Sequence, residues 1–250
     1  MKNILRRTCK IFVTLLFSVI LFAQDKQPQT MAILYFENNC LLDREKMQPL
    51  SKGLADMMYS EMVKIKGLKL VERNRIKSII DEMNLQETGI LEESSTQKIG
   101  KLLGAKVMMF GAFTKSDDDE IRIDVRIVRT ETGETLNAEE ATGELSQFVT
   151  LLRSIAKNVA ENLKVKLTSE EKDYLETEIE GNFDGYIAFA EAIALEDDSR
   201  YKEKSGNAAK AKEGYQKSLK LYQEALSKSP NYLPAKEKVQ QLKTIISKLK

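Results

Sequence analysis

The chain has 250 residues, 42% of them hydrophobic, with 39 basic and 38 acidic side chains and no histidine. That length leaves room for one or two domains with real cores, and the missing histidine removes the commonest general base and the commonest metal ligand. Charge is balanced overall but unevenly placed: residues 201–250 hold twelve Lys against four acids, whereas residues 24–200 are acidic, with 34 acids against 23 bases. The basic tail carries no interleaved aromatic pattern of the kind that stacks on bases, so it reads as the solvated face of helices and no nucleic acid is predicted. Two cysteines, Cys9 and Cys40, fall on either side of a processing signal. A chain cut there keeps one thiol and no intrachain disulfide, and a lone Cys40 without histidine is a poor nucleophile.

Lys2, Arg6, Arg7 and Lys10 open the chain without an acid, and an apolar run follows from Ile11 to Phe22. Its length, roughly 18 Å as a helix, falls well short of the ~30 Å hydrocarbon core. With Ala23 as the small residue before a polar stretch, residues 1–23 read as a secretory signal peptide; an uncleaved anchor is the other reading, because Leu21 is large for its place before the cut. No Cys directly follows the run to take a lipid. The expected address is exported and periplasmic, at most peripheral to the outer membrane.

Beyond it, Met31–Phe36 is predicted as a strand, and an amphipathic helix is predicted from Met47 to Lys66, with Leu50, Leu54, Met57, Met58, Met62 and Ile65 on one face and Gly67 as its stop. Leu68–Glu72 reads as a second strand. Asn74 is the candidate cap of a helix that exits at Gly89, and Ser94 or Ser95 caps a shorter helix ended by Gly104. Residues 107–115 and 121–129 then read as two strands joined by a short acidic loop. In the second of them Ile121, Ile123, Val125 and Ile127 alternate with Arg122, Asp124 and Arg126, which is one buried sheet face and one wet one. A strand resumes over Glu134–Ala138. A long helix closes the unit over 146–166, on a stripe of Phe148, Leu152, Ile155, Val159 and Leu163. Thr168 with Glu171 forms a capping box for a helix through Glu180, and from Gly181 onward only helical periodicity remains.

The order of these elements gives the fold class: an α/β (α+β) layered N-terminal domain with a mixed sheet and helices over 31–167, followed by an all-α region over 168–250. Five stretches carry a resemblance. They are Ala32–Asn38, Lys52–Met58, Leu70–Ile76, Ile99–Ala105 and Val125–Leu136. In that order they resemble the curli production assembly/transport family, whose best-known member is a bacterial outer-membrane secretion channel. The resemblance implies the sheet fold, an envelope location and self-association, since channel members form rings. Channel members look like this core with two long membrane hairpins inserted. A spanning strand needs about 9–11 residues and a hairpin about twenty, which neither Thr114–Glu120 nor the chain after Leu136 can hold. The loop that constricts the pore in such members is here Asn39–Lys46 and lacks the Tyr and Asn-Phe residues of that pattern, so no pore residue is carried over.

The C-terminal half resembles a tetratricopeptide repeat. Tyr186, Phe189, Ala190 and Ile193 look like its first helix, and Ser218, Tyr222, Ala225, Leu226 and Pro230 like its second. The spacing between them exceeds that of the ~34-residue repeat, so Asp197–Asn207 is a loop or a helix extension, and one repeat must lean on a neighbour to bury its face. The resemblance implies a protein-binding face at Tyr186, Phe189, Tyr222 and Tyr232. No catalytic constellation, cofactor, metal site or small-molecule substrate is predicted: Gly100–Gly104 lacks the phosphate-loop pattern, and the Asp117–Glu120 run lacks the glycine turn of a calcium loop. The expected function is a non-catalytic, exported envelope protein that acts in protein–protein assembly or secretion support, with other envelope proteins, peptides or further copies of itself as partners. The alternative is a pore-forming outer-membrane secretion channel component.

Overall fold

The computed structural model describes residues 29–83 and 93–249. The signal segment 1–23 and the helix exit at Gly89 lie outside them. Five strands form one sheet: β1 (Gln29–Asn38), β2 (Leu68–Leu70), β3 (Val107–Lys115), β4 (Glu120–Arg129) and β5 (Thr135–Glu144). The order is β2-β1-β3-β4-β5, with β1 parallel to β2 and β3, and the β3-β4-β5 meander antiparallel. The mixed sheet follows from the connections. Helices return the chain parallel at β2 and β3, and turns too short for a crossover force the antiparallel meander.

The helices of this part are α1 (Arg44–Met47), α2 (Leu50–Met62), α3 (Arg73–Glu82), α4 (Glu93–Leu103), α5 (Phe148–Asn162) and α6 (Ser169–Glu176). α2 packs on β1 and α5 on β5, covering the face to which Ile121, Ile123, Val125 and Ile127 point; all four are buried. Arg122 and Arg126 are exposed on the other face, as the alternation requires. α4 covers the start of that second face, where Gly100 lies against Met108 and Thr130. In β1 the register slips between Ile33 and Phe36, and at this bulge the Ile33 carbonyl accepts a hydrogen bond from the Arg73 guanidinium.

Three boundaries differ from the sequence reading for physical reasons. The helix expected over Met47–Lys66 is two, because Pro49 lacks the N–H to continue one ladder and sits at the N-cap of α2 instead. Asn74 does not cap: α3 starts at Arg73, whose guanidinium is held by Asp56 and Ile33. The strand expected over Glu134–Ala138 runs on to Glu144, because β4 offers it ten residues of pairing partner. The capping box forms: Thr168 Oγ1 accepts from Glu171 N at 3.2 Å, while Glu171 accepts from Thr168 N at 2.8 Å.

The helical part is α7 (Phe183–Lys204), α8 (Ala208–Lys228) and α9 (Leu233–Lys248). Asp197–Lys204 extends α7 rather than forming a loop, so the α7–α8 hairpin has helices of 22 and 21 residues. α7 packs against α8 on one side and α2 on the other, which is why its apolar residues do not keep to a single face. α2 and α7 meet where Gly53 faces Ala190; a Cβ at 53 would lie 2.3 Å from that of Ala190. Buried residues of both parts form one continuous core, so the helices lean on the first domain. Among the described residues, no helix is long and apolar enough to cross a membrane.

Candidate interaction site

The seam between the sheet domain and the helices concentrates the polar chemistry of the molecule. On the domain side, Glu61 of α2 and Arg153 of α5 form an ion pair at 3.0 Å, their side chains 3% and 5% exposed. The Tyr174 hydroxyl donates to the same Glu61 oxygen at 2.7 Å, and Lys64 reaches that hydroxyl. Arg153 also donates to the Thr177 carbonyl at 3.0 Å and lies over the Tyr174 ring, 4.0 Å from its centroid. One carboxylate thereby ties together α2, α5 and α6. Burial, with Glu61 beside it, pushes the Tyr174 phenol far above its ordinary range.

On the helical side Glu196 of α7 plays the same part. It accepts from Arg200 at 2.5 Å, from Lys238 of α9 at 2.9 Å and from the Tyr222 hydroxyl of α8 at 2.7 Å. Burial would raise its carboxyl, but Lys238 and Arg200 hold it below the usual carboxylate range. Between the two clusters, Arg73 pairs with Asp56 at 3.2 Å, and Lys77 of α3 bridges to Asp197 of α7 at 3.5 Å. Burial raises Asp197 despite Lys77. Lys52, half-buried over the Tyr35 ring, is lowered to about 8, mainly by burial and then by Lys77.

Of these groups, Asp56, Lys64 and Arg73 on one side and Glu196, Asp197, Arg200 and Lys238 on the other wall a cleft of about 590 Å³, which lies between α2 with α3 and α7 with α9. Phe189 and Ile193 reach its floor. Two apolar side chains stand exposed among its lining residues, Val63 at 52% and Leu233 at 53%. Glu72, Asn74, Glu237 and Gln241 are exposed beside them, so the mouth of the cleft mixes apolar and polar surface. Among the described residues, no group of three His, Cys, Asp or Glu is placed to hold a metal. Cys40 is buried, its Sγ accepting from Lys115 N at 3.2 Å, and burial pushes the thiol up.

The four aromatics read from the sequence as a binding face are placed differently. Tyr186, Phe189, Tyr222 and Tyr232 are all buried. They stack on one another: Tyr186 on Tyr232 at 5.2 Å, Phe189 on Tyr232 at 5.0 Å and on Tyr222 at 5.3 Å. Tyr186 also meets Phe148 of α5 at 5.6 Å. They join the helices to the domain instead of facing outward, because α2 and α5 cover the surface that a longer repeat array would leave open; only Phe189 reaches the cleft floor. The sequence reading missed Glu61, Arg153 and Glu196. Two of them leave a signal. Arg153 interrupts the helical stripe Val149–Ala156–Ala160, and Glu196 continues the stripe Phe189–Ile193. A charge at an apolar position of a helix marks a buried partner.

Residues 17–117 match the family model of the curli production assembly/transport component CsgG. The match ends in the β3–β4 turn, so the resembling stretch Val125–Leu136 lies beyond it. No curated protein matches the sequence. Solved structures with partial likeness include the LpoB C-terminal domain from Salmonella enterica, at 11% identity over 51% of this chain and 91% of that chain, with a TM-score of 0.39. Lipoprotein GNA1162 from Neisseria meningitidis is 12% identical over 56% of this chain and 100% of that chain, again at 0.39. TolB from Acinetobacter baumannii is 12% identical over 57% of this chain and 30% of that one, also at 0.39. Likenesses this distant are of shape alone and carry no statement of function.

Proposed function

We propose that this protein is a non-catalytic, exported component of the cell envelope that works in protein–protein assembly or secretion support through its seam cleft. The observation that carries the reading is the CsgG-family match over residues 17–117, together with a cleft whose inner charges pair with one another and whose mouth exposes Val63 and Leu233 among polar residues. Paired charges hold geometry and leave no nucleophile poised beside a base, whereas Val63 and Leu233 offer contact area. The apolar run Ile11–Phe22 behind a basic start supports export. Fractionation of cells that express the native gene, followed by crosslinking from a photoreactive residue at Val63, tests the reading. A periplasmic protein crosslinked to a discrete partner is expected; a cytoplasmic one, or crosslinks unchanged when the probe moves to exposed Lys217, would overturn it.

The family match favours one rival, a secretion pore. Against it stands the meander. β3 and β4 are joined by residues 116–119, with Ser116 N bonded to the Glu120 carbonyl at 2.9 Å. β4 and β5 are joined over 130–134, and neither link holds the ~20 residues of a spanning hairpin. Conductance in planar bilayers, with heat-modifiable migration on gels, would favour the pore; its absence agrees with the assembly reading.

A further inference from the structure

The helical part ends in a tip that the described residues leave uncovered. α7 runs on for seven residues, roughly 10 Å, past Asp197, where Lys77 ties it to the sheet part. Residues 203–210, which turn the chain from α7 into α8, are exposed without a break. Two contacts close the tip. Lys212 of α8 donates to the Leu249 carbonyl, just past the end of α9, at 2.6 Å, and the Tyr215 hydroxyl of α8 donates to Glu203 of α7 at 2.6 Å. Residues 198–217 and 243–249 thus meet at one end of three helices, and they hold eight bases against three acids. All three acids are engaged: Asp198 by Lys202, Glu203 by Tyr215 and Glu213 by Lys217 at 2.7 Å. Lys217 holds Glu213 below the usual carboxylate range, with Lys202 of α7 and Lys210 of α8 adding to it, so lysines of two helices surround one carboxylate. Arg200 turns inward to Glu196. Lys204, Lys210, Lys243 and Lys248 are exposed, and none forms an ion pair among the described residues. Tyr201, 63% exposed, stands one turn before Lys204 on the same helix face.

We propose that this tip is a docking site for the surface of an anionic phospholipid bilayer. Shape and residue type decide the occupant. A tip made of a turn and helix ends is convex, which suits a plane. A nucleic-acid strand is instead held in a basic groove with several stacking aromatics, and Tyr201 is the one exposed aromatic of the tip. Every unpaired cation of the tip is Lys. Arg forks onto a single carboxylate or phosphate in fixed geometry, whereas Lys is a hydrated point charge on a flexible stem, suited to the diffuse field of a charged leaflet. Four such lysines reach the number at which basic clusters bind anionic lipid. The Tyr201 ring supplies the amphipathic group that settles at headgroup depth. This site is apart from the seam cleft, and its failure would leave the assembly reading untouched.

The test uses the full chain without residues 1–23, so that the apolar run Ile11–Phe22 does not itself bind lipid. Vesicles of phosphatidylglycerol with phosphatidylethanolamine are expected to carry the protein on flotation, vesicles of phosphatidylcholine alone are not, and rising salt is expected to release it. Lys204→Gln with Lys210→Gln is expected to weaken binding about twentyfold, at about fivefold for each charge near the surface. Lys220→Gln with Lys236→Gln removes the same charge from exposed positions outside the tip and is expected to change binding by no more than about twofold. The chain has no Trp, so Tyr201→Trp is a single reporter; its emission is expected to shift to the blue with anionic vesicles, while that of Leu233→Trp at the cleft mouth does not. Equal weakening by the two lysine pairs, equal binding to neutral vesicles, an unmoved signal from Tyr201→Trp, or a single-stranded oligonucleotide that stays bound at salt concentrations that release the vesicles would each overturn the proposal.

Discussion

The sheet domain and the helical hairpin solve one problem in two ways. Each joins three helices to one buried glutamate. In the domain, Glu61 has the Arg153 guanidinium at 3.0 Å and a phenol, a pair sealed from solvent, while its second cation, Lys64, is partly open and stands off at 3.9 Å. In the hairpin, Glu196 has two cations and a phenol, and those cations, Arg200 and Lys238, remain partly open to solvent beside the cleft. A sealed pair is unforgiving of losing one member, since the survivor is left charged without water. A partly open one can be rehydrated. The domain should therefore be rigid at its node, and the hairpin adjustable at its own.

Removing one partner of the sealed node breaks the comparison most severely. Glu61→Ala strands Arg153 and is expected to cost about 3–5 kcal/mol in urea unfolding, whereas the double variant Glu61→Leu with Arg153→Met recovers most of it. Forcing the halves apart comes next. Gly53→Val places side-chain atoms where Ala190 already sits and is expected to cost about 1–3 kcal/mol, with faster proteolysis near residues 178–182. Removing the capping hydroxyl with Thr168→Ala should cost about 1 kcal/mol; it loosens α6, which carries Tyr174 onto Glu61, and so sharpens the domain side alone.

The smallest effect is one of pH. The Glu196 carboxyl is depressed in the folded chain, so its contribution is fully present above the ordinary glutamate value of about 4.3 and is lost as pH falls through the lower folded value. Asp197 is raised, so it opposes folding at neutral pH and ceases to do so as pH falls through its folded value. Unfolding followed from pH 7 down to pH 3 should show Glu196→Gln flatter than the parent at the acid end, and Asp197→Asn steeper. Identical profiles would mean that Glu196 is not held by its cations.

What the sequence made legible was whatever is local. The alternation of β4 is complete within ten residues, and the Thr168–Glu171 capping box within four. β5 was half hidden because Glu139, Glu140 and Gly143 are poor strand formers, and only the pairing offered by β4 makes them extended. Tyr186, Phe189, Tyr222 and Tyr232 were visible as a helical stripe, but periodicity tells that a face is covered, not by what. Here the cover is the sheet domain's own helices. Glu61 and Arg153 lie 92 residues apart, and no spacing rule spans that distance. The seam cleft depends on four elements, α2 and α3 of the sheet part and α7 and α9 of the helical part, brought together across the chain.

The connection between the halves passes through Gly181, whose N–H donates to the Ser146 carbonyl at 2.9 Å. A side chain there would meet the Tyr186 hydroxyl at 2.0 Å. The chain crosses from sheet to helices through a slot with no spare width, and the slot is anchored to the foot of the closing helix. A load pulling on the helices is thus delivered at that foot, one turn from the edge strand, and not dissipated in a slack tether. Strain applied at one end of this molecule should be felt at the other.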